Sequence, residues 1–124
     1  MSDALTHTEI VWHEALSLDE LWEDEMLDIE IGDEIILLVH AEGGEIRAYQ
    51  GVCPHQEILL ADGEFEENII TCTAHHWQFN ALTGEGVNPK GCKLFQYPVR
   101  VENDTIYVGI PQDGKRHYNR CTAS

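Results

Sequence analysis

Two short motifs, each containing one cysteine and one histidine, constrain this chain more than any other feature of its sequence. The first is Cys53-Pro54-His55 and the second is Cys72-Thr73-Ala74-His75. Each motif lies where a predicted strand gives way to a loop. Two matching loops that each offer a thiolate and an imidazole can hold one inorganic centre between them. The sequence therefore predicts a centre with four protein ligands: Cys53, His55, Cys72 and His75.

Two kinds of metal centre satisfy this ligand set. A tetrahedral zinc site can take two cysteines and two histidines, but in the usual zinc finger the two ligand types come from separate elements. Here each motif mixes them, which is typical of a Rieske [2Fe–2S] centre, where two histidines replace two cysteines on one iron. In that arrangement Cys53 and Cys72 bind one iron, while His55 and His75 bind the other. Zinc remains the alternative.

The chain is strongly acidic. Its 124 residues include 23 Asp and Glu but only 7 Lys and Arg, which gives a formal net charge of −16. No Lys or Arg occurs before Arg47. Such a polyanion repels phosphate backbones and anionic bilayers, so we expect neither nucleic-acid nor membrane binding. The acids either keep the chain in solution or attract a basic protein partner.

The length of the chain suits one domain, and it is too short for an eight-fold barrel of about 250 residues. Residues 1–9 show neither the basic nor the apolar part of a secretion signal, so we expect a cytoplasmic protein. In that reducing compartment, four cysteines indicate metal or redox chemistry before disulfides. We expect one domain over residues 1–110 and a flexible tail over residues 111–124, where the hydrophobic periodicity stops.

Short apolar runs with a period of two residues predict an all-β fold. Leu27, Ile29 and Ile31 alternate with acidic residues, as in a half-buried strand. Turn residues at Glu42-Gly43-Gly44 and Asn103-Asp104 separate neighbouring runs. Many short strands joined by polar turns predict antiparallel sheets. The further predicted strands cover residues 34–40, 45–50, 68–72, 77–80, 98–102 and 105–110.

One short helix is predicted near residues 17–23. Ser17 and Glu20 match a capping box, in which each side chain accepts a hydrogen bond from the other residue's backbone amide. Leu18, Leu21 and Trp22 would form the apolar stripe of this helix.

The segments around the two motifs carry a wider pattern, which resembles the Rieske ferredoxins. Within that family, it resembles the ferredoxin component of multicomponent toluene and alkene monooxygenases. The resemblance spans about residues 15–110 and implies a Rieske domain of antiparallel sheets, with a cluster-binding part at about residues 50–92. It also implies one [2Fe–2S] cluster, and the C-x-x-H register favours His75 over His76 as a ligand. The matching segments are Ala48–Gln50, Cys53–Leu60, Ile70–Asn80, Thr83-Gly84, Gly86, Asn88-Pro89 and Tyr97-Pro98-Val99.

The resemblance implies a monomeric one-electron carrier that catalyses no reaction of its own. It would take electrons from an NADH-oxidising flavin/iron–sulfur reductase and pass them to a di-iron hydroxylase of aromatic hydrocarbon catabolism. A ferredoxin of a ring-hydroxylating dioxygenase is the first alternative, and the segment Gln56–Leu60 argues against it. A nitrite reductase small subunit and a zinc-stabilised interaction module are the others.

The chain departs from the respiratory Rieske proteins at two places. Those proteins carry a disulfide-forming cysteine in each cluster loop, whereas this chain has Ala74 in the second loop and no further cysteine in the first. Trp77 and Phe79 stand where those proteins have Ser and Tyr donors. Fewer donors stabilise the reduced cluster less well, so we expect a potential toward the bottom of the Rieske range of about −150 to +300 mV.

Overall fold

Antiparallel strands form nearly all of the regular structure, as the sequence predicts. The computed structural model describes residues 10–32, 34–53, 58–73, 77–88, 90–111 and 120–121. Two 3₁₀ helices, Leu18–Glu20 and Leu60–Asp62, are the helices in these ranges, and neither is long enough to cross a membrane. The strands are β1 Ile10–Ser17, β2 Glu25–Ile31, β3 Glu34–His40, β4 Ile46–Gln50, β5 Glu64–Glu66, β6 Ile69–Thr71, β7 Gln78–Asn80, β8 Gly86–Asn88, β9 Cys92–Lys93, β10 Gln96–Tyr97, β11 Val99–Glu102, β12 Thr105–Pro111 and β13 Arg120–Cys121.

The strands form four sheets, and one of them separates the other two large sheets. This central sheet has the order β10-β4-β3-β2. A three-stranded sheet, β1-β12-β11, packs on one of its faces, and a four-stranded sheet, β5-β6-β7-β8, packs on the other. The fourth sheet is the pair β13-β9. The strands and helices in the described ranges thus form two hydrophobic cores, one on each face of the central sheet.

Strand β3 supplies side chains to both cores. Successive side chains of a strand point to opposite faces. Ile36 and Leu38 therefore enter the core under β1-β12-β11, while Leu37 and Val39 enter the core under β5-β6-β7-β8. All four are fully buried. This two-sided burial explains why β3 is a continuous apolar run rather than an alternating one.

The two predicted turns are confirmed by their backbone conformations. Asn103 and Asp104 both have positive φ, 52° and 61°, and they connect β11 to β12. Positive φ at both central residues is typical of the tight hairpin turn that matches the twist of the strands. Gly43 and Gly44, with φ of 102° and 98°, lie in the connection between β3 and β4.

The predicted helix is a single 3₁₀ turn, and its capping box is present. Ser17 N donates to Glu20 Oε2 at 3.2 Å, and Asp19 N donates to Ser17 Oγ at 3.3 Å. The helix ends at once, because Leu21 already has an extended backbone. Leu21 is buried, but Trp22 is 69% exposed, so the prediction of an apolar stripe that includes Trp22 is wrong. One turn is too short to bring Trp22 back to the face of Leu18.

Strand β13 lies within the tail that the sequence predicts to be flexible. Its two residues pair with β9, where Cys121 is opposite Cys92 in the register. Cys92 is buried, as its apolar character suggests, and it is also disulfide-bonded. Residues 112–119 and 122–124 lie outside the described ranges.

Candidate metal centre

Two loops at the core under β5-β6-β7-β8 are each closed by a backbone hydrogen bond, and the two bonds join equivalent positions. The amide of Cys53 donates to Ile58 O at 2.8 Å, and the amide of Cys72 donates to Trp77 O at 2.8 Å. In both loops the acceptor lies five residues after the cysteine. Each cysteine therefore occupies the equivalent position at the start of its loop.

The residues that flank the two loops are also paired in the same way. Val52 forms an antiparallel bridge with Leu59 just before and after the first loop. Thr71 pairs with Gln78 in the same way around the second loop, where β6 meets β7. Gln50 adds a further restraint, since its side-chain oxygen accepts a 3.0 Å hydrogen bond from Val52 N. Paired backbone on both sides fixes the direction in which each cysteine leaves its strand.

The two loops bring their cysteines into one apolar core. Cys53 is 3% exposed and Cys72 is fully buried, and neither forms a disulfide bond. The core excludes water from both sulfur atoms, which suits thiolate ligands of a metal rather than reactive surface thiols. The other buried members of this core are Leu37, Val39, Tyr49, Leu60, Ile70, Phe79, Ala81, Cys92 and Leu94.

Tyr49 is the largest hydroxyl-bearing side chain of this core, and its hydroxyl group stays neutral at physiological pH. Its hydroxyl donates to Ala81 O at 2.7 Å. Burial raises the pKa of Tyr49 to about 12, although the nearby Arg47 cation opposes the shift. Tyr49 therefore adds no charge to the surroundings of the two thiols.

Gly63 allows the backbone after the first loop to approach the backbone before the second loop closely. The first loop leads into the 3₁₀ helix Leu60–Asp62, and Gly63 follows it. A Cβ atom on Gly63 would collide with the Thr71 carbonyl oxygen and would lie 3.3 Å from Cys72 Cα. The chain that leaves the first loop thus rests directly on the backbone that presents Cys72. The sequence gives no sign of this role, because the contact joins distant segments.

The structure describes half of the predicted ligand set. Cys53 and Cys72 come together, whereas His55 and His75 lie outside the described residues, as does His76. Within the described residues no third Cys, His, Asp or Glu joins the two thiols in a metal-binding group. Cys92 shares the core but is disulfide-bonded. These two buried cysteines, neither of which forms a disulfide bond, fit the thiolate half of a [2Fe–2S] centre with mixed ligands.

The family of the chain follows from a match that includes both loops. Residues 11–98 match the Rieske [2Fe–2S] domain. The chain belongs to the Rieske [2Fe–2S] domain family. It therefore carries one Rieske-type [2Fe–2S] cluster, which decides for iron and sulfide over the zinc alternative. The predicted Rieske fold of antiparallel sheets is confirmed.

Curated relatives of this Rieske protein include ferredoxin components of two oxygenase systems. The ferredoxin component of the alkene monooxygenase system of Xanthobacter autotrophicus is 35% identical over 111 residues, which cover 86% of this chain and 90% of that protein. The ferredoxin component of the naphthalene 1,2-dioxygenase system of Pseudomonas putida is 28% identical over 102 residues, which cover 82% and 97%. The predicted resemblance to oxygenase ferredoxins is confirmed.

A solved structure shows the same fold. The ferredoxin of carbazole 1,9a-dioxygenase from Nocardioides aromaticivorans superposes with a TM-score of 0.71 at 24% identity. The match covers 78% of this chain and 95% of that ferredoxin. The chain and that ferredoxin therefore share the same fold.

The contact at Gly63 predicts a loss of cluster without a change at any ligand. Gly63→Ala forces the Thr71 and Cys72 backbone to move, so the iron content per chain should fall well below that of the wild type. The measurement is iron and labile sulfide in protein purified under argon.

Gly44→Ala is the matched control for Gly63→Ala. Its added Cβ would meet nothing within 4 Å, but the φ of 98° strains it. We expect a loss of about 1–3 kcal/mol in the free energy of unfolding with full iron content. Full cluster content in Gly63→Ala would contradict the proposed contact between the loops.

Proposed function

We propose that this Rieske protein is a one-electron carrier, the ferredoxin component of a multicomponent oxygenase. It receives electrons from an NADH-oxidising flavin/iron–sulfur reductase and delivers them to a di-iron monooxygenase hydroxylase. The observation that carries this proposal is the 35% identity to the alkene monooxygenase ferredoxin component, which extends over 86% of this chain and 90% of that one. The chain itself catalyses no reaction on an organic substrate.

We assign the cluster ligands as Cys53 and Cys72 on one iron, and His55 and His75 on the other. The support for the thiolates is structural, since both cysteines are buried, outside any disulfide and at equivalent positions of two matched loops. The support for the histidines is their spacing from those cysteines in the sequence. The cluster supplies a one-electron couple when bound.

The chain around the thiolates tunes that couple toward low potential. Phe79 is fully buried in the same core and has no hydroxyl to donate. Leu60 and Ile70, also fully buried there, lower the local dielectric. An apolar environment disfavours the added negative charge of a reduced centre. These residues therefore support a potential in the lower part of the Rieske range, which suits an intermediate carrier.

We propose that the carrier works as a monomer in the cytoplasm. A formal net charge of −16 supports a monomer, because copies of the chain repel each other. Neither Cys53 nor Cys72 forms a disulfide bond, which supports a reducing compartment. The disulfide bond of Cys92 is unusual for such a compartment and does not support this location.

One other function has an observation in its favour. The naphthalene dioxygenase ferredoxin component matches over 97% of its length at 28% identity. A ferredoxin of a ring-hydroxylating dioxygenase would use the same cluster and the same loops. Only the oxygenase that accepts the electron differs between the two proposals.

The ligand assignment predicts that substitutions of the ligands remove the cluster, whereas substitution of the adjacent histidine does not. Cys72→Ser and His75→Ala each remove a ligand, so both should lose most of the iron and the EPR signal of the reduced protein. His76→Ala should keep both, because its position does not match the C-x-x-H spacing. Iron analysis and EPR after dithionite reduction measure these outcomes.

Cys92→Ala is the control for the loss of a buried sulfur atom. Cys92 is as buried as Cys53 and lies in the same core, but it belongs to neither loop. We expect it to keep the cluster. Retention of the cluster in His75→Ala together with its loss in His76→Ala would overturn the assignment of His75.

Reconstitution with known partners tests the proposed function. We expect the chain to restore NADH-dependent turnover to the reductase and oxygenase of an alkene monooxygenase system that lacks its own ferredoxin. The matched experiment uses the reductase and oxygenase of a naphthalene dioxygenase system. Faster turnover with the dioxygenase would favour the second function, and no turnover with either would contradict an electron carrier of oxygenases.

A further inference from the structure

Trp22 is held in solvent rather than packed in a core. It is the most exposed large hydrophobic side chain of the described residues, at 69%. Its indole Nε1 donates to Asp19 O at 2.8 Å, and its amide donates to Glu25 Oε1 at 2.9 Å. The Trp22 carbonyl in turn accepts from Glu25 N at 3.0 Å. A large aromatic ring that is fixed and exposed is typical of a binding surface.

An open groove is lined by residues that come before and after Trp22 in the chain, among them Leu21 and Asp24. We call it the Trp22 groove; it has a volume of about 340 Å³ and lies between the start of β2 and the segment from the second 3₁₀ helix to β5. Its lining combines an apolar part with three carboxylates. The apolar residues are Leu21, Met26, Leu27, Ala61 and Phe65, and the acidic residues are Glu20, Asp24 and Glu25.

The carboxylates around Trp22 lack cationic partners. Five of the seven residues 19–25 are acidic. The two salt bridges among the described residues are Arg47–Glu45 and Arg100–Glu102, both outside this segment. The negative charge at the Trp22 groove is therefore uncompensated by the described part of the chain, and it attracts cations.

The backbone under these carboxylates is fixed by the central sheet. Asp24 N donates to His40 O at 2.7 Å, and His40 Nδ1 lies 2.9 Å from Leu21 O. Glu23 Oε2 accepts from Gly43 N at 2.8 Å. A surface fixed in this way loses little conformational entropy when a ligand binds.

An arginine side chain has a chemical group for each feature of this surface. Its planar guanidinium can stack on the indole face of Trp22 and donate paired hydrogen bonds to carboxylates. Its apolar stem can cover the apolar residues of the groove. A lysine has a compact, strongly hydrated charge that satisfies these demands less well.

The Trp22 groove also borders the core that contains Cys53 and Cys72. Met26, Ala61 and Phe65, which line the groove, pack against the core that contains Cys53 and Cys72. A side chain in the groove is thus one layer of residues away from that core. This position suits a protein that exchanges electrons with the cluster.

We propose that Trp22 and the Trp22 groove form a docking surface for an arginine side chain of a redox partner protein. The identity of the partner rests on the proposed function, whereas the arginine preference rests on the surface alone. The two parts are therefore tested by separate experiments.

The first experiment measures binding without electron transfer. Tetra-arginine and tetra-lysine peptides are titrated into the oxidised holoprotein, and the Trp22 indole N–H is followed by nuclear magnetic resonance. We expect tetra-arginine to shift this resonance at concentrations at least about fivefold lower than tetra-lysine does. Asp24→Asn should weaken the arginine effect, while Glu14→Gln, an exposed carboxylate of β1, should not.

Two results would overturn the proposed arginine site. One is an equal response to the two peptides, which would mean that only net charge is sensed. The other is a shift of the Trp22 resonance when Lys115→Ala/Arg116→Ala is introduced without peptide, which would make the chain's own tail the occupant.

The second experiment measures the two electron-transfer steps by stopped flow. Trp22→Ala should slow reduction by the reductase or oxidation by the oxygenase at least about fivefold, with unchanged iron content. Trp22→Phe should restore part of the rate, because it keeps an aromatic face. Val101→Ala is the control for the loss of an exposed apolar side chain.

The affected step identifies the partner that docks at Trp22. Wild-type rates for both steps in Trp22→Ala would overturn the docking surface. Absence of electron transfer in the wild-type protein would instead contradict the proposed function, so the two failures are distinguishable.

Discussion

The structure depends on excluding water from two cysteine thiols that lie in one core, although they come from different hairpins. Cys53 and Cys72 lie in one apolar core, and each amide is bound to the carbonyl five residues later. That core exists because the central sheet presents Leu37 and Val39 to it. The opposite face of the same sheet carries the second core, which holds the sheet in position. Burial on both faces of β3 thus supports the core that holds the two cysteines.

The sequence predicts the parts of this molecule that depend on local chemistry. Ligand spacing is local, so the two cysteine–histidine motifs predict the kind of centre before any fold is known. The run Glu34–His40 is apolar enough to predict a buried strand, and β3 has these bounds. The pair Asn103-Asp104 predicts its turn for the same reason, since positive φ at both residues is a property of the turn itself.

Features that depend on distant segments could not be predicted from the sequence. Strand β1 has an irregularity between Glu14 and Leu16, and this shift breaks the alternation that would predict a strand. Leu27 has the period of an inward residue, yet it is 40% exposed, because β2 is the outer strand of the central sheet. Gly63 has no local requirement for glycine, since only its contact with β6 excludes a side chain.

The proposed electron transfer depends on mixed thiolate and imidazole ligation of one iron–sulfur cluster. Pulsed EPR on the dithionite-reduced protein tests it most directly, because nitrogen nuclei bound to the reduced cluster couple to its unpaired electron. We expect couplings from two histidine nitrogens, which shift on labelling with ¹⁵N-histidine. A reduced cluster without nitrogen coupling, or an EPR-silent protein with stoichiometric zinc, would contradict it.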